Sequence, residues 1–194
     1  ILTDLSGKPG VTIRLNPYAP ESVCFGEDGT LWALVSLIDM DGSSVGTDYP
    51  ILRQYSAEGK LLQAVLARSR FKGGIPPALN TGGGGEVIMQ ANRSHLGILF
   101  GHANLWVEVD GQGSVKELSF ESLPFLGPQG DATGRSKSFG GLAFFDSGAV
   151  FVSQSDAQTS GLYRLDKKNG RWISVEGTGG SLDDGAVSVL HGKE

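Results

Sequence analysis

Cysteine, histidine and positive charge are all scarce in this chain of 194 residues. Its single cysteine, Cys24, excludes an intramolecular disulfide, and with it the disulfide-stapled class of small secreted folds. The three histidines, His95, His102 and His191, lie far apart, and none has a second ligand at the close spacing of a zinc site. The 16 Lys+Arg are outnumbered by 21 Asp+Glu, for a net charge of −5, so the composition provides no basic face for nucleic acid or an anionic membrane. No apolar run reaches the roughly 18 residues of a membrane-spanning helix, and no basic segment leading into an apolar stretch opens the chain. Because the sequence starts at Ile1 rather than Met, it reads as processed or as part of something longer.

Catalytic signatures are also missing. No Gly-x-Ser-x-Gly segment offers a nucleophilic serine. Thr81-Gly82-Gly83-Gly84-Gly85 lacks the Gly-Lys-Ser/Thr ending of a phosphate loop and reads as a linker. Asp39-Met40-Asp41-Gly42-Ser43-Ser44 places its glycine too early for a calcium loop and has no glutamate at the twelfth position. These motifs predict neither a cofactor nor a metal. Cys24 sits beside Phe25, where apolar neighbours make a thiol inert. Asn92-Arg93-Ser94 fits a glycosylation sequon, which matters only in a eukaryotic secretory protein.

What the chain has in excess is glycine. Its 30 glycines are about twice the usual share, spread without a collagen period, while 39% apolar and 19% charged residues suit one folded core. Aligning the turn glycines exposes a repeat. Leu5-Ser6-Gly7-Lys8, Ala57-Glu58-Gly59-Lys60, Gly111-Gln112-Gly113-Ser114 and Lys168-Asn169-Gly170-Arg171 each place Gly before a polar residue and then an apolar strand, and these glycines lie 52, 54 and 57 residues apart. A second series, Glu27-Asp28-Gly29, Asp146-Ser147-Gly148 and Asp183-Asp184-Gly185, precedes another apolar strand in each unit.

One unit therefore reads as strand, acidic turn, strand, variable loop, strand, Gly turn, strand. The spacing predicts strands over 22–25, 30–36, 51–56 and 61–67, then over 86–90, 95–100, 103–109 and 114–120, then over 141–144, 149–154, 161–165 and 171–175. Within each unit the second strand is a nearly unbroken apolar run, such as Leu31-Trp32-Ala33-Leu34-Val35, so it is buried on both faces. Local propensity favours an amphipathic helix at 60–72, but the repeat phase assigns a strand there. The fold class is all-β: a β-propeller of four-stranded antiparallel blades at 20–67, 86–120 and 140–175, flanked by half blades at 1–15 and 181–194. Those halves either close a four-bladed ring or belong to an open arc, and the arc is the expected form.

The segment from Pro20-Glu21-Ser22-Val23-Cys24-Phe25 through Gly26-Glu27-Asp28-Gly29-Thr30-Leu31-Trp32, followed by Leu52-Arg53-Gln54-Tyr55-Ser56-Ala57-Glu58-Gly59-Lys60-Leu61-Leu62, resembles the NHL-repeat and streptogramin-lyase-like β-propellers. The second unit departs from that pattern, with Ala91-Asn92-Arg93-Ser94 in place of the acidic Gly turn. The resemblance implies a bacterial, often six-bladed scaffold in an extracytoplasmic setting. It also implies a possible lyase or lactonase activity, although the lyases' catalytic His and Glu find no matching positions here.

The inter-strand loops, long between blades and tight within hairpins, point instead to a non-catalytic binding module with a variable face on a rigid scaffold. Its ligand is a protein or small molecule, and neither nucleic acid nor a membrane span is expected. The candidate channel-mouth residues are Tyr18, Asp39, Asp41, Asp48, His102, Arg135, Asp156 and His191.

Overall fold

Among the described residues, twelve strands arise in the three full units of the repeat. The structure, a computed structural model, describes residues 10–37, 48–71, 87–93, 95–121, 138–155 and 160–175. The first sheet contains β1 (Tyr18–Phe25), β2 (Leu31–Leu37), β3 (Pro50–Tyr55) and β4 (Leu61–Ala67). The second contains β5 (Val87–Ala91), β6 (His95–Phe100), β7 (Leu105–Asp110) and β8 (Val115–Ser119). The third contains β9 (Ser138–Phe144), β10 (Val150–Ser155), β11 (Ser160–Asp166) and β12 (Arg171–Ser174). Each sheet is an antiparallel meander with its strands in sequence order. The first strands adjoin, β1 against β5 and β5 against β9, so the sheets are arranged as the blades of a propeller-like fold.

One sequence expectation is borne out over its rival and one is corrected. The helical alternative at 60–72 gives way to β4 and a short 3₁₀ turn at Arg68–Arg70, because β3 supplies a ladder that an isolated amphipathic segment lacks. Residues 11–15, expected as a strand, carry no ladder among the described residues. Their apolar side chains Ile13 and Leu15 pack instead on Leu31, Ala33, Val35 and Tyr55 of the first sheet. The half blades at 1–9 and 181–194 lie outside the described residues.

The core consists of the interfaces between sheets. Trp32, Leu34, Leu52 and Leu66 of the first sheet meet Met89, Ala91, Leu96, Ile98 and Val107 of the second. Leu99 and Trp106 on the opposite face of the second sheet meet Phe144, Val150, Val152 and Tyr163 of the third. Fully burying each large apolar side chain is worth about 1.5–3 kcal/mol, so these faces dominate the stability. Trp106 crosses to Phe144 edge-on, with ring centroids 5.3 Å apart. Its indole needs room over Gly97, where an added Cβ would lie 2.2 Å from the Trp106 ring.

A second contact recurs along the chain. The β3–β4, β7–β8 and β11–β12 hairpins turn through Gly59, Gly113 and Gly170, at φ of 83°, 83° and 63°, which only glycine adopts without steric cost. Each of these glycines also nests on the chain before its own sheet. A Cβ on Gly113 would lie 2.8 Å from Val65 of β4, one on Gly170 2.8 Å from the Ser119 carbonyl at the end of β8, and one on Gly59 2.8 Å from Val11. Replacing Gly170 with Val therefore adds backbone strain to a clash with main chain. The expected cost is about 2 kcal/mol or more, lowering Tm by roughly 4–8 °C in thermal unfolding.

One inter-sheet ion pair is half-buried. Glu108 on β7 accepts from Lys167 of the β11–β12 turn and, at 2.6 Å, from Trp106 Nε1. Burial alone would push its carboxyl up, but the bonds from Lys167 and Trp106 prevail and hold it below the ordinary glutamate range. A depressed folded-state pKa contributes stability above the unfolded value, about 4.3, and that contribution is lost as pH falls through the folded value. Glu108→Gln is expected to be less stable near neutrality and to lose less Tm than the parent between pH 5 and pH 3, as scanning calorimetry across that range would show.

Candidate site on the open rim

Strand alternation sorts the connections onto two rims. In every sheet the first–second and third–fourth hairpins turn at one rim, and the second–third and between-sheet connections leave from the other. The turn rim is bound by local hydrogen bonds. Asp28 Oδ1 accepts from the Thr30 N–H at 3.0 Å, and Asp110 Oδ1 from the N–H groups of Gln112 and Ser114 at 2.9 and 2.8 Å. Bonds from the Thr30 hydroxyl to Asp28 and from the Ser114 backbone to Asp110 hold both carboxyls below the usual aspartate value.

The aberrant turn of the second sheet links all three sheets. Arg93 Nε reaches Glu27 of the first sheet's turn at 2.9 Å and Asp146 of the third's at 3.5 Å, and its backbone N–H donates to Asp146 Oδ1 at 3.1 Å. Asn92 is buried. Its Nδ2 donates to the Phe145 carbonyl at 2.9 Å and its Oδ1 accepts from the His95 N–H at 2.8 Å. The sequon asparagine is thus engaged inside the structure and is no acceptor for a glycan.

At the open rim the polar groups cluster on the first sheet. Arg53 of β3 lays its guanidinium 3.8 Å from the centroid of Tyr18, at the start of β1. Tyr18 tilts against Tyr49 at 5.7 Å, and Arg68 lies 5.9 Å over the Tyr49 ring, within cation–π range. The Tyr49 hydroxyl accepts from the Leu37 N–H at 3.0 Å, fixing its ring to the end of β2. Asp48 accepts from the Ser69 N–H at 2.9 Å and from the Ser69 hydroxyl at 2.7 Å, which lowers its pKa, and this ties the start of β3 to the 3₁₀ turn. The resulting row of Arg53, Tyr18, Tyr49 and Arg68 wraps over the rim, with the carboxylate of Asp48 beside it.

Within this row, Arg53 Nε is buried without a hydrogen-bond partner among the described residues. A buried donor left unpaired costs about 1–3 kcal/mol. The arrangement presents a cation held flat against a phenol ring, with a second aromatic beside it.

Of the expected channel-mouth residues, Tyr18 and Asp48 come to the same rim of the first sheet. Asp39, Asp41, Arg135, Asp156 and His191 lie outside the described residues. His102 falls in the Gly101–Ala103 turn between β6 and β7, as the repeat required. Sequence reasoning missed Arg53, Tyr49 and Arg68, and Arg53 carried a readable signal. In the strand registers Arg53 pairs with Ala33, as Val107 pairs with Ile98 and Tyr163 with Val152. A charge therefore occupies a repeat position that is buried and uncharged in the other two sheets.

Cys24 is a free, half-buried thiol on β1. Burial pushes its thiol up to about 12, against the opposing effect of a hydrogen bond with the Ala91 backbone. A disulfide reagent at pH 8 is expected to leave the native protein unmodified over minutes and to modify it at once in denaturant. Rapid labelling of the native chain would contradict this burial.

No family model matches the chain, and no curated protein matches it. Among solved structures, a catalytically inactive virginiamycin B lyase from Staphylococcus aureus, crystallised with quinupristin, is similar at 13% identity and a TM-score of 0.44. The match covers 90% of this chain and 45% of that one, so the chain spans less than half of that protein's length.

Proposed function

We propose that the chain is a non-catalytic binding module whose open rim receives an anionic group on the first sheet. The observation that carries this reading is Arg53, a cationic side chain stacked on Tyr18 with a buried Nε that has no acceptor among the described residues. A carboxylate or comparable oxyanion supplies the missing acceptors, and charge-assisted bonds to a guanidinium are about twice as strong as neutral ones. Tyr18 and Tyr49 add apolar walls, so the ligand class is an acid that carries a flat or apolar body. The scaffold suits recognition: tight hairpins bound by their own side chains hold one rim, while the longer connections all emerge at the rim that carries the cluster.

The test is thermal stabilisation by simple acids, with benzoate, citrate and phosphate as probes. A ligand that binds only the native state raises its stability by RT ln(1 + [L]/Kd), about 2.7 kcal/mol at a hundredfold excess over Kd. Benzoate is expected to give a saturable rise in Tm that disappears in Arg53→Gln and persists in Tyr18→Phe. A flat response to all three acids would overturn the reading.

A further inference from the structure

Each sheet ends in an outer edge, and the three edges differ in what they show to solvent. β4, β8 and β12 are the last strands of their sheets, with one ladder neighbour each among the described residues. The exposed residues of β8 are Lys116, Glu117 and Ser119, and those of β12 are Arg171, Ile173 and Ser174. Those of β4 are Leu61, Leu62, Ala64 and Ala67, all apolar. Leu61 and Leu62 are 44% and 50% exposed. Counted from the turn glycines, Leu62 stands where β8 has Lys116.

An edge strand presents unpaired N–H and C=O groups, and charged side chains or proline along it keep other strands from adding to it. β8 and β12 carry such charges, whereas Leu61-Leu62-Gln63-Ala64-Val65-Leu66-Ala67 of β4 has no charge and no proline. The β4 edge is also held in place. The Gly113 hairpin of the second sheet seats on Gln63 and Val65, Gln63 Nε2 donates to Gln54 at 2.7 Å, and Arg70, just beyond the strand, pairs with Glu117 of β8. A strand fixed in this way loses little freedom when it pairs. Its ladder with β3 is irregular at Leu62 and at Leu66, which has a φ of 63°. The regular edge is therefore short, and pairing through it is weak and reversible.

We infer that β4 pairs antiparallel with β4 of a second copy of this chain about a two-fold axis, joining two four-stranded sheets into one of eight strands. A two-fold contact sets the same surface against itself, so the strand must be complementary to its own copy. Like charges directly opposite one another are destabilising, and an uncharged strand meets none. The chain has a net charge of −5, so two copies repel one another as wholes and their approach is least opposed along a strand without charge. The ends of β4 favour the antiparallel sense. Glu58, in the turn before the strand, comes to the Arg68–Arg70 end of the other copy, whereas parallel pairing would lay Glu58 on Glu58, Lys60 on Lys60 and Arg68 on Arg68. Backbone bonds across the axis set the direction, and Leu61, Leu62 and Ala64 of each copy bury apolar surface against the other.

The test is sedimentation equilibrium of the full chain from about 10 μM to about 1 mM, a range suited to the weak association of a contact smaller than about 1,200 Å². The weight-average mass is expected to rise towards that of two chains, and hydrogen exchange at amides 61–65 is expected to be slower at the upper concentration than at the lower. Leu62→Lys, at an exposed position, is expected to stay monomeric throughout, with a Tm within about 2 °C of the parent. A parent chain that is monomeric at every concentration overturns the inference and leaves the edge to a foreign strand or to none. A dimer that survives Leu62→Lys overturns it as well, as does one whose slowed amides lie at 22–25, beside the exposed Val23 and Phe25, and not in β4.

Discussion

The stability of this fold depends on burying both faces of each second strand. A strand such as Leu31-Trp32-Ala33-Leu34-Val35, buried throughout, has no solvent side to offer, so its sheet requires a neighbour on each face. One neighbour satisfies half of that demand and passes the other half along. The arrangement is therefore radial: each sheet covers the one before it and is covered by the one after. The choice of side chains follows from this. Gly97 admits the Trp106 ring from the same sheet, and Phe144 closes on that ring from the next.

Electrostatics is secondary and serves to orient the sheets. The Arg93 pairs with Glu27 and Asp146 are exposed at the arginine, where solvent screening leaves ion pairs little net effect on stability. Their value lies in direction, because one side chain and its own backbone N–H bind turns of two flanking sheets and set the relative rotation of all three. The pair of Lys167 with Glu108 acts similarly on the interface of the second and third sheets and is less screened by solvent. Asn92 adds two neutral bonds in a buried position, where an unpaired amide would be costly.

Most of the architecture was legible in the sequence because turn chemistry and strand burial both leave local traces. Gly59 and Gly170 were identifiable as positive-φ turns from their place in the repeat, and both adopt that conformation. The second unit was harder to read. Its turn replaces the acidic Gly pattern with Asn92-Arg93-Ser94, and the reason is nonlocal, since Arg93 serves the turns of the neighbouring sheets. Residues 11–15 were misread for a related reason: apolar alternation predicts a strand, but a strand also requires a ladder partner, and periodicity carries no information about one. The open-rim cluster was only half visible. Tyr18 and Asp48 stood near loop boundaries, whereas Arg53 looked like ordinary charge on a half-wet outer strand.

Arg53 also shows how a repeat can take up a charge without disturbing its scaffold. At the equivalent positions Val107 and Tyr163 contribute to the burial between sheets. Putting a guanidinium at this position in a central sheet would leave a charge between two apolar faces, a cost of several kcal/mol. On the first sheet the position is only partly buried, and Tyr18 shields one face of the cation at 3.8 Å. The Ile13 and Leu15 side chains keep the adjacent Ala33, Val35 and Tyr55 dry, so the cation is introduced at the edge of the apolar face rather than within it. A position whose repeat equivalents Val107 and Tyr163 are buried and uncharged thus carries a charge on the first sheet, where it is only partly buried.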